Sequence, residues 1–88
     1  MQAKKQFVIG ISQPCDDAWR QKMNEEMRRE QLFHSNITLE FRNSEYDNAR
    51  QCADIEEFIS KGVDLIIVSP NVADALTNVV SKAYNSGI

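Results

Sequence analysis

The sequence predicts an α/β fold, a three-layer, doubly wound parallel sheet with its strands in the order 2-1-3. Three observations carry this prediction. Short apolar runs alternate with amphipathic helical stretches along all 88 residues, giving β-α-β-α-β-α. The connections are only a few residues long, and right-handed crossovers between parallel strands then place helices on both faces. One strand alternates in polarity while the other two are continuously apolar, which puts that strand at an edge. Order 2-1-3 is the start of the 2-1-3-4-5 arrangement.

The elements follow in order. "QFVIGIS" (Gln6–Ser12) is a β-branched apolar run and reads as a strand buried on both faces. From Asp17 to about Phe33 the composition turns to Glu, Arg, Met, Gln and Lys, all good helix formers. Trp19, Met23 and Met27 recur every four residues as one apolar stripe, and Asp16 or Asp17 supplies the N-cap. "NITLEFR" (Asn36–Arg42) sets Ile37, Leu39 and Phe41 against Thr38, Glu40 and Arg42, the alternation of a half-exposed edge strand. Asp47 caps a helix that runs to Lys61 and stops at Gly62, a left-handed terminator. "VDLIIVS" (Val63–Ser69) reads as a central strand, and "SPN" breaks the chain after it. A third helix carries Val72, Leu76, Val79, Val80 and Ala83 as one stripe and ends at Gly87, with Ile88 as the first residue of another strand. Residues 1–88 thus read as an incomplete lobe whose "DLIIVS" edge awaits a partner strand, or as a unit that dimerises through that edge.

Composition narrows the function classes. With 42% hydrophobic and 26% charged residues the chain is an ordinary globular one, and a net charge of −3 with scattered Lys and Arg excludes nucleic acid as a partner. No apolar run approaches the ~18 residues of a membrane span. The start, "MQAKKQFVIGIS", is too short and too strand-like for a signal peptide. Cys15 and Cys52 match no metal or redox spacing and read as free, inert thiols. His34, the only histidine, reads as a surface turn residue, so neither a metal site nor a cofactor is expected.

In open α/β sheets ligands bind beyond the carboxyl ends of the strands, where strand order reverses. In order 2-1-3 that point lies between the first and third strands, flanked by "SQPCDDAWR" and "SPNVAD". A phosphate cradle needs glycines and free N–H groups, and Pro14 with two acids opposes it. Cys15 and Arg20 are one residue too close for a cysteine-phosphatase loop, and the neighbouring carboxylates disfavour a thiolate. A receiver-like domain shares the flavodoxin-like topology, but Ser69 stands where its phosphoacceptor Asp belongs. Carbohydrate chemistry fits these side chains best. Asp16, Asp17, Arg20 and Gln13 can hydrogen-bond a fan of hydroxyls, and Trp19 can cover an apolar C–H patch.

"VIGISQPCDDAWR", "ISKGVDLIIVSPNVADAL" and "AYNSGI" together resemble the N-terminal lobe of type I periplasmic sugar-binding proteins, of the ribose- and galactofuranose-binding sort, from about Phe7 to Ile88. The resemblance implies a periplasmic-binding-protein-like lobe, residues 1–88 being its first and incomplete part, and no catalysis. It places Asp17, Trp19 and Arg20 on the sugar, with Asn71 and Asp74 approaching the cleft from the third strand. Asp17 and Arg20 depart from the family's usual Asn and second aromatic. The partners it implies are a monosaccharide, a pentose or ketohexose such as ribose or fructose, and a second lobe of the same protein. The setting is extracytoplasmic: the sensor region of a two-component signalling kinase, or a free solute-binding protein of a sugar transporter.

Overall fold

The computed structural model describes residues 5–88; the first four residues of the stretch weighed as a leader lie outside the described residues. The elements are β1 (Phe7–Gln13), α1 (Ala18–Gln31), β2 (Ile37–Asn43), α2 (Asn48–Lys61), β3 (Leu65–Val68) and α3 (Ala73–Asn85). The three strands form one parallel sheet in the order β2-β1-β3, as the sequence predicts. Phe7 lies opposite Ile37 and Gln13 opposite Asn43, while Ile9 to Ser12 pair with Leu65 to Val68. This register brings the carboxyl ends of β1 and β3 side by side.

Strand alternation then deals residues to two faces. On one face, Ile55 of α2 clusters with Leu76 and Val79 of α3, and Ile66 and Val68 of β3 pack against them. Phe58 is fully buried on the same face, and a Cβ on Gly10 would lie 2.7 Å from its ring. Glycine in the middle of β1 is therefore required by close approach of the ring. Burying a side chain of this size stabilises by about 1.5–3 kcal/mol, so Ile55, Phe58 and Leu76 carry much of the fold.

The other face holds α1, whose buried residue is Asn24. Met27 shares an apolar hollow there with Ile9, Ile37, Leu39 and Ile67. Caps behave as the sequence predicts at α2: the Asp47 carboxylate accepts from the Arg50 N–H at 3.0 Å, and Gly62 ends the helix at φ 69°. At α1 the N-cap is Asp17 rather than Asp16.

Several expectations need correction. Within the Trp19, Met23 and Met27 stripe, Met23 and Met27 are only half-buried, and Trp19 is 68% exposed. The α1 helix stops at Gln31, and Leu32 and Phe33 follow it exposed. β3 is shorter than Val63–Ser69; its outer edge is unpaired among the described residues, the open "DLIIVS" edge expected from the sequence, and Leu65 and Ile67 are 49% and 40% exposed. In α3, Leu76, Val79 and Ala83 are buried while Val72 and Val80 are not, since α3 leans on α2 along the narrower line. The Ser86 C-cap precedes Gly87, which takes a left-handed φ of 91° just past the helix.

Candidate ligand-binding site

The loop from Pro14 to Asp17 leaves β1 at the switch point, and Asp17 turns it into α1. Its Oδ1 accepts from the Arg20 N–H at 2.9 Å, and its carbonyl accepts from the Gln21 N–H at 2.8 Å. This cap fixes the first turn of α1 and with it the direction of the Arg20 side chain. One guanidinium nitrogen of Arg20 donates to Asp17 Oδ2 at 2.9 Å and to Cys15 Sγ at 3.3 Å. The other donates to Ser69 Oγ at 2.8 Å, at the end of β3. Arg20 thus ties the β1–α1 loop to the third strand across the point where strand order reverses.

The electrostatics follow. The Arg20 backbone N–H, helped by the guanidinium charge, holds the Asp17 carboxyl below the ordinary carboxylate range, so it is ionised at neutral pH. The pair is half-exposed, so it contributes modestly to stability and chiefly to orientation. Arg20 Nε is buried without a hydrogen-bond partner among the described residues.

A second layer of polar contacts supports this cluster. Gln13, only 3% exposed, exchanges both amide hydrogen bonds with Asn24, at 2.7 and 3.0 Å. Gln51 is fully buried and donates to Ser12 Oγ at 3.0 Å and to the Ser69 carbonyl at 2.9 Å, while accepting from the Asn71 N–H at 3.0 Å. The Asn71 side chain donates to the Tyr46 carbonyl at 2.9 Å and to Asn48 Oδ1 at 2.7 Å. Three connections, after β1, β2 and β3, are thereby locked to one another.

Of the residues singled out in the sequence, Asp17, Trp19 and Arg20 come together: the Arg20 guanidinium carbon lies 5.9 Å from the centre of the exposed Trp19 ring. Asp16 is exposed, and its carbonyl accepts from the Gln21 amide at 2.8 Å. Gln13 is turned inward onto Asn24, and Asn71 holds the β2–α2 loop. Asp74 is exposed in the first turn of α3. Sequence reasoning passed over Asn24, Tyr46, Gln51 and Ser69 as parts of the site. Gln51 did leave a signal, because it sits on the same helical face as Ile55 and Phe58, where a buried amide demands partners. Cys15 is a free thiol, as expected, but it lies within this polar cluster. A separate hollow lined by Val68, Pro70, Ala73, Leu76 and Val80 is apolar and lacks charged groups. The hydrogen-bonding capacity is at the switch point instead.

The parallel α/β lobe thus presents a charged fork, a carboxylate and an exposed indole at its strand ends, the place where open α/β sheets take small ligands. Comparison agrees and goes further: the chain belongs to the periplasmic binding protein domain family, whose model matches residues 9–88. The fructose-binding periplasmic domain of a hybrid two-component system is 44% identical, with a TM-score of 0.89 over 93% of this chain and 27% of its own. An ABC transporter solute-binding protein from Bacillus halodurans with bound myo-inositol is 30% identical, with a TM-score of 0.87 over 100% of this chain and 31% of its own. A galactofuranose-binding protein is 25% identical, with a TM-score of 0.83 over 93% of this chain and 28% of its own. Curated protein sequences give no match. The chain therefore spans less than a third of the length of these solved proteins.

Proposed function

We propose that this chain is the first-lobe portion of an extracytoplasmic, monosaccharide-recognising domain in a sensor of the hybrid two-component type. The observation that carries the reading is the Asp17–Arg20–Ser69 link beside exposed Trp19, which offers charged hydrogen-bonding groups and an aromatic face at the switch point. The 44% identity to the fructose-binding domain of a hybrid two-component system supports the sensor setting over the transporter one. No bond is made or broken in this role. A pentose or ketohexose lies between this lobe and a second lobe, its hydroxyls on Asp17 and Arg20 and its C–H face on Trp19. Closure of the lobes on the sugar is the signal.

A free solute-binding protein of a sugar transporter is the second reading, favoured by the 30% identity that extends over 100% of this chain. Membrane-spanning flanks in the full-length protein distinguish the sensor from it. The test of the binding role is calorimetric titration of the full-length domain with fructose, ribose, arabinose and myo-inositol. Fructose or a pentose should bind, and Arg20→Ala should weaken binding by about tenfold or more, the loss expected for a charge-assisted pair. Absence of binding to all four sugars, or unchanged affinity in Arg20→Ala, overturns the reading.

A further inference from the structure

The β2–α2 connection holds a feature that fold stability does not require. Glu45 and Tyr46 are both non-glycine residues at positive φ, 53° and 63°. A bulky side chain in this region is strained, and such strain persists where surrounding structure over-determines it. Here it is over-determined from three sides. The Tyr46 N–H donates to the Pro14 carbonyl at 2.7 Å, on the β1–α1 loop. The Tyr46 carbonyl accepts from Asn71 at 2.9 Å, on the β3–α3 loop. The Glu45 N–H donates to Asn43 Oδ1 at 2.9 Å, at the end of β2.

None of this holding buries the ring, which is 66% exposed. The residue is nonetheless seated beside the cluster, its backbone N–H on the carbonyl of Pro14, the neighbour of Cys15. Cys15 is the same sulfur that accepts from Arg20. The Cys15 thiol, with burial and the Asp17 charge adding to it, raises the phenol above its ordinary range. Glycine would satisfy the backbone at this position without strain, so a strained, exposed tyrosine is explained by what its side chain meets.

We infer that Tyr46 is a further ligand-contacting and specificity-setting residue, a second aromatic at the rim of the Asp17–Arg20 cluster. The inference rests on the sugar-binding reading above. Trp19 and Tyr46, from α1 and the β2–α2 loop, each offer a flat apolar face with little conformational entropy to lose. The Tyr46 hydroxyl can accept as well as donate a hydrogen bond, whereas the indole N–H only donates.

The test uses the full-length domain with fructose, ribose and arabinose as titrants, on Tyr46→Gly, Tyr46→Phe and Arg20→Ala. Tyr46→Gly should weaken binding by about tenfold, the worth of an aromatic face, while the melting temperature holds or rises because glycine relieves the positive φ. Tyr46→Phe keeps the ring and should change the ranking of the three sugars by about threefold or more through loss of the hydroxyl. Affinity within about twofold of the parent in Tyr46→Gly, with Arg20→Ala strongly impaired, overturns the assignment of Tyr46 and leaves the sugar site standing. An unchanged ranking in Tyr46→Phe overturns the role of the hydroxyl even if the glycine variant fails to fold. A parent domain that binds none of the three sugars removes the underlying reading, a result plainly different from the other two.

Discussion

The two faces of the sheet are built on different principles. Beneath α2 and α3 most of the contact is apolar and tight, with the Phe58 ring against Gly10 and Ile55 against Leu76 and Val79, and the buried Gln51 amide is confined to the strand ends. Beneath α1, where Ile11 is also fully buried, the helix is held by an amide pair, Gln13 with Asn24, and its start is tied down by Arg20. Apolar packing has no direction and supplies stability; paired amides and a guanidinium fork have direction and supply position. The first face holds the lobe together, and the second aims side chains at the strand ends.

The largest effect that would break this contrast is Phe58→Ala. Emptying the site under Gly10 should lower stability by about 3–5 kcal/mol in chemical denaturation, while whatever remains folded binds its ligand normally. Asn24→Ala should be milder and of the opposite character. Leaving the buried Gln13 amide without its partner costs about 1–3 kcal/mol, and the freed loop should lose affinity in titration. Replacing Gln13 and Asn24 together by leucine should recover much of the stability but not the affinity, since both amides then leave the interior. Equal stability losses on the two faces, or normal affinity in Asn24→Ala, would erase the distinction.

The smallest effect sharpens it at the α2 surface. Asp54 Oδ2 is buried without a hydrogen-bond partner among the described residues, and desolvation pushes its carboxyl above the ordinary 3.8, with Arg50 and Arg42 only partly offsetting this. The folded state thus holds this proton more tightly than the unfolded one. Stability associated with it is present at low pH and lost as pH rises through the folded value. Asp54→Asn should therefore raise the melting temperature at pH 7, with the gain vanishing as the pH is brought below the ordinary carboxylate range. A gain that persists in acid would place its cause elsewhere.

Local chemistry made the fold legible. The Asp47 cap, the Gly62 terminator, the polarity alternation of β2 and the apolar run of β3 depend on neighbours within a few residues, so periodicity alone conveys element type and strand order. The Asp17–Trp19–Arg20 group was legible for the same reason, because all three lie on one helical turn. Where burial depends on what lies opposite, local pattern misled. Val72 and Val80 share a spacing with Leu76 and Val79 but are 46% and 44% exposed.

By itself the sequence determined a β-α-β-α-β-α chain, the order of its strands and the loop that stands where that order reverses. Only the tertiary structure decided that Gln13 turns inward to Asn24, that Arg20 reaches Ser69, and that the Tyr46 N–H meets the Pro14 carbonyl. Those partners are separated by 11, 49 and 32 residues. The parallel register of β1 with β2 and β3 is what carries them to one end of the sheet. Hydrogen bonds act over about 3 Å, so a contact of this kind is specified by the folded positions of its partners and not by the spacing between them in the chain.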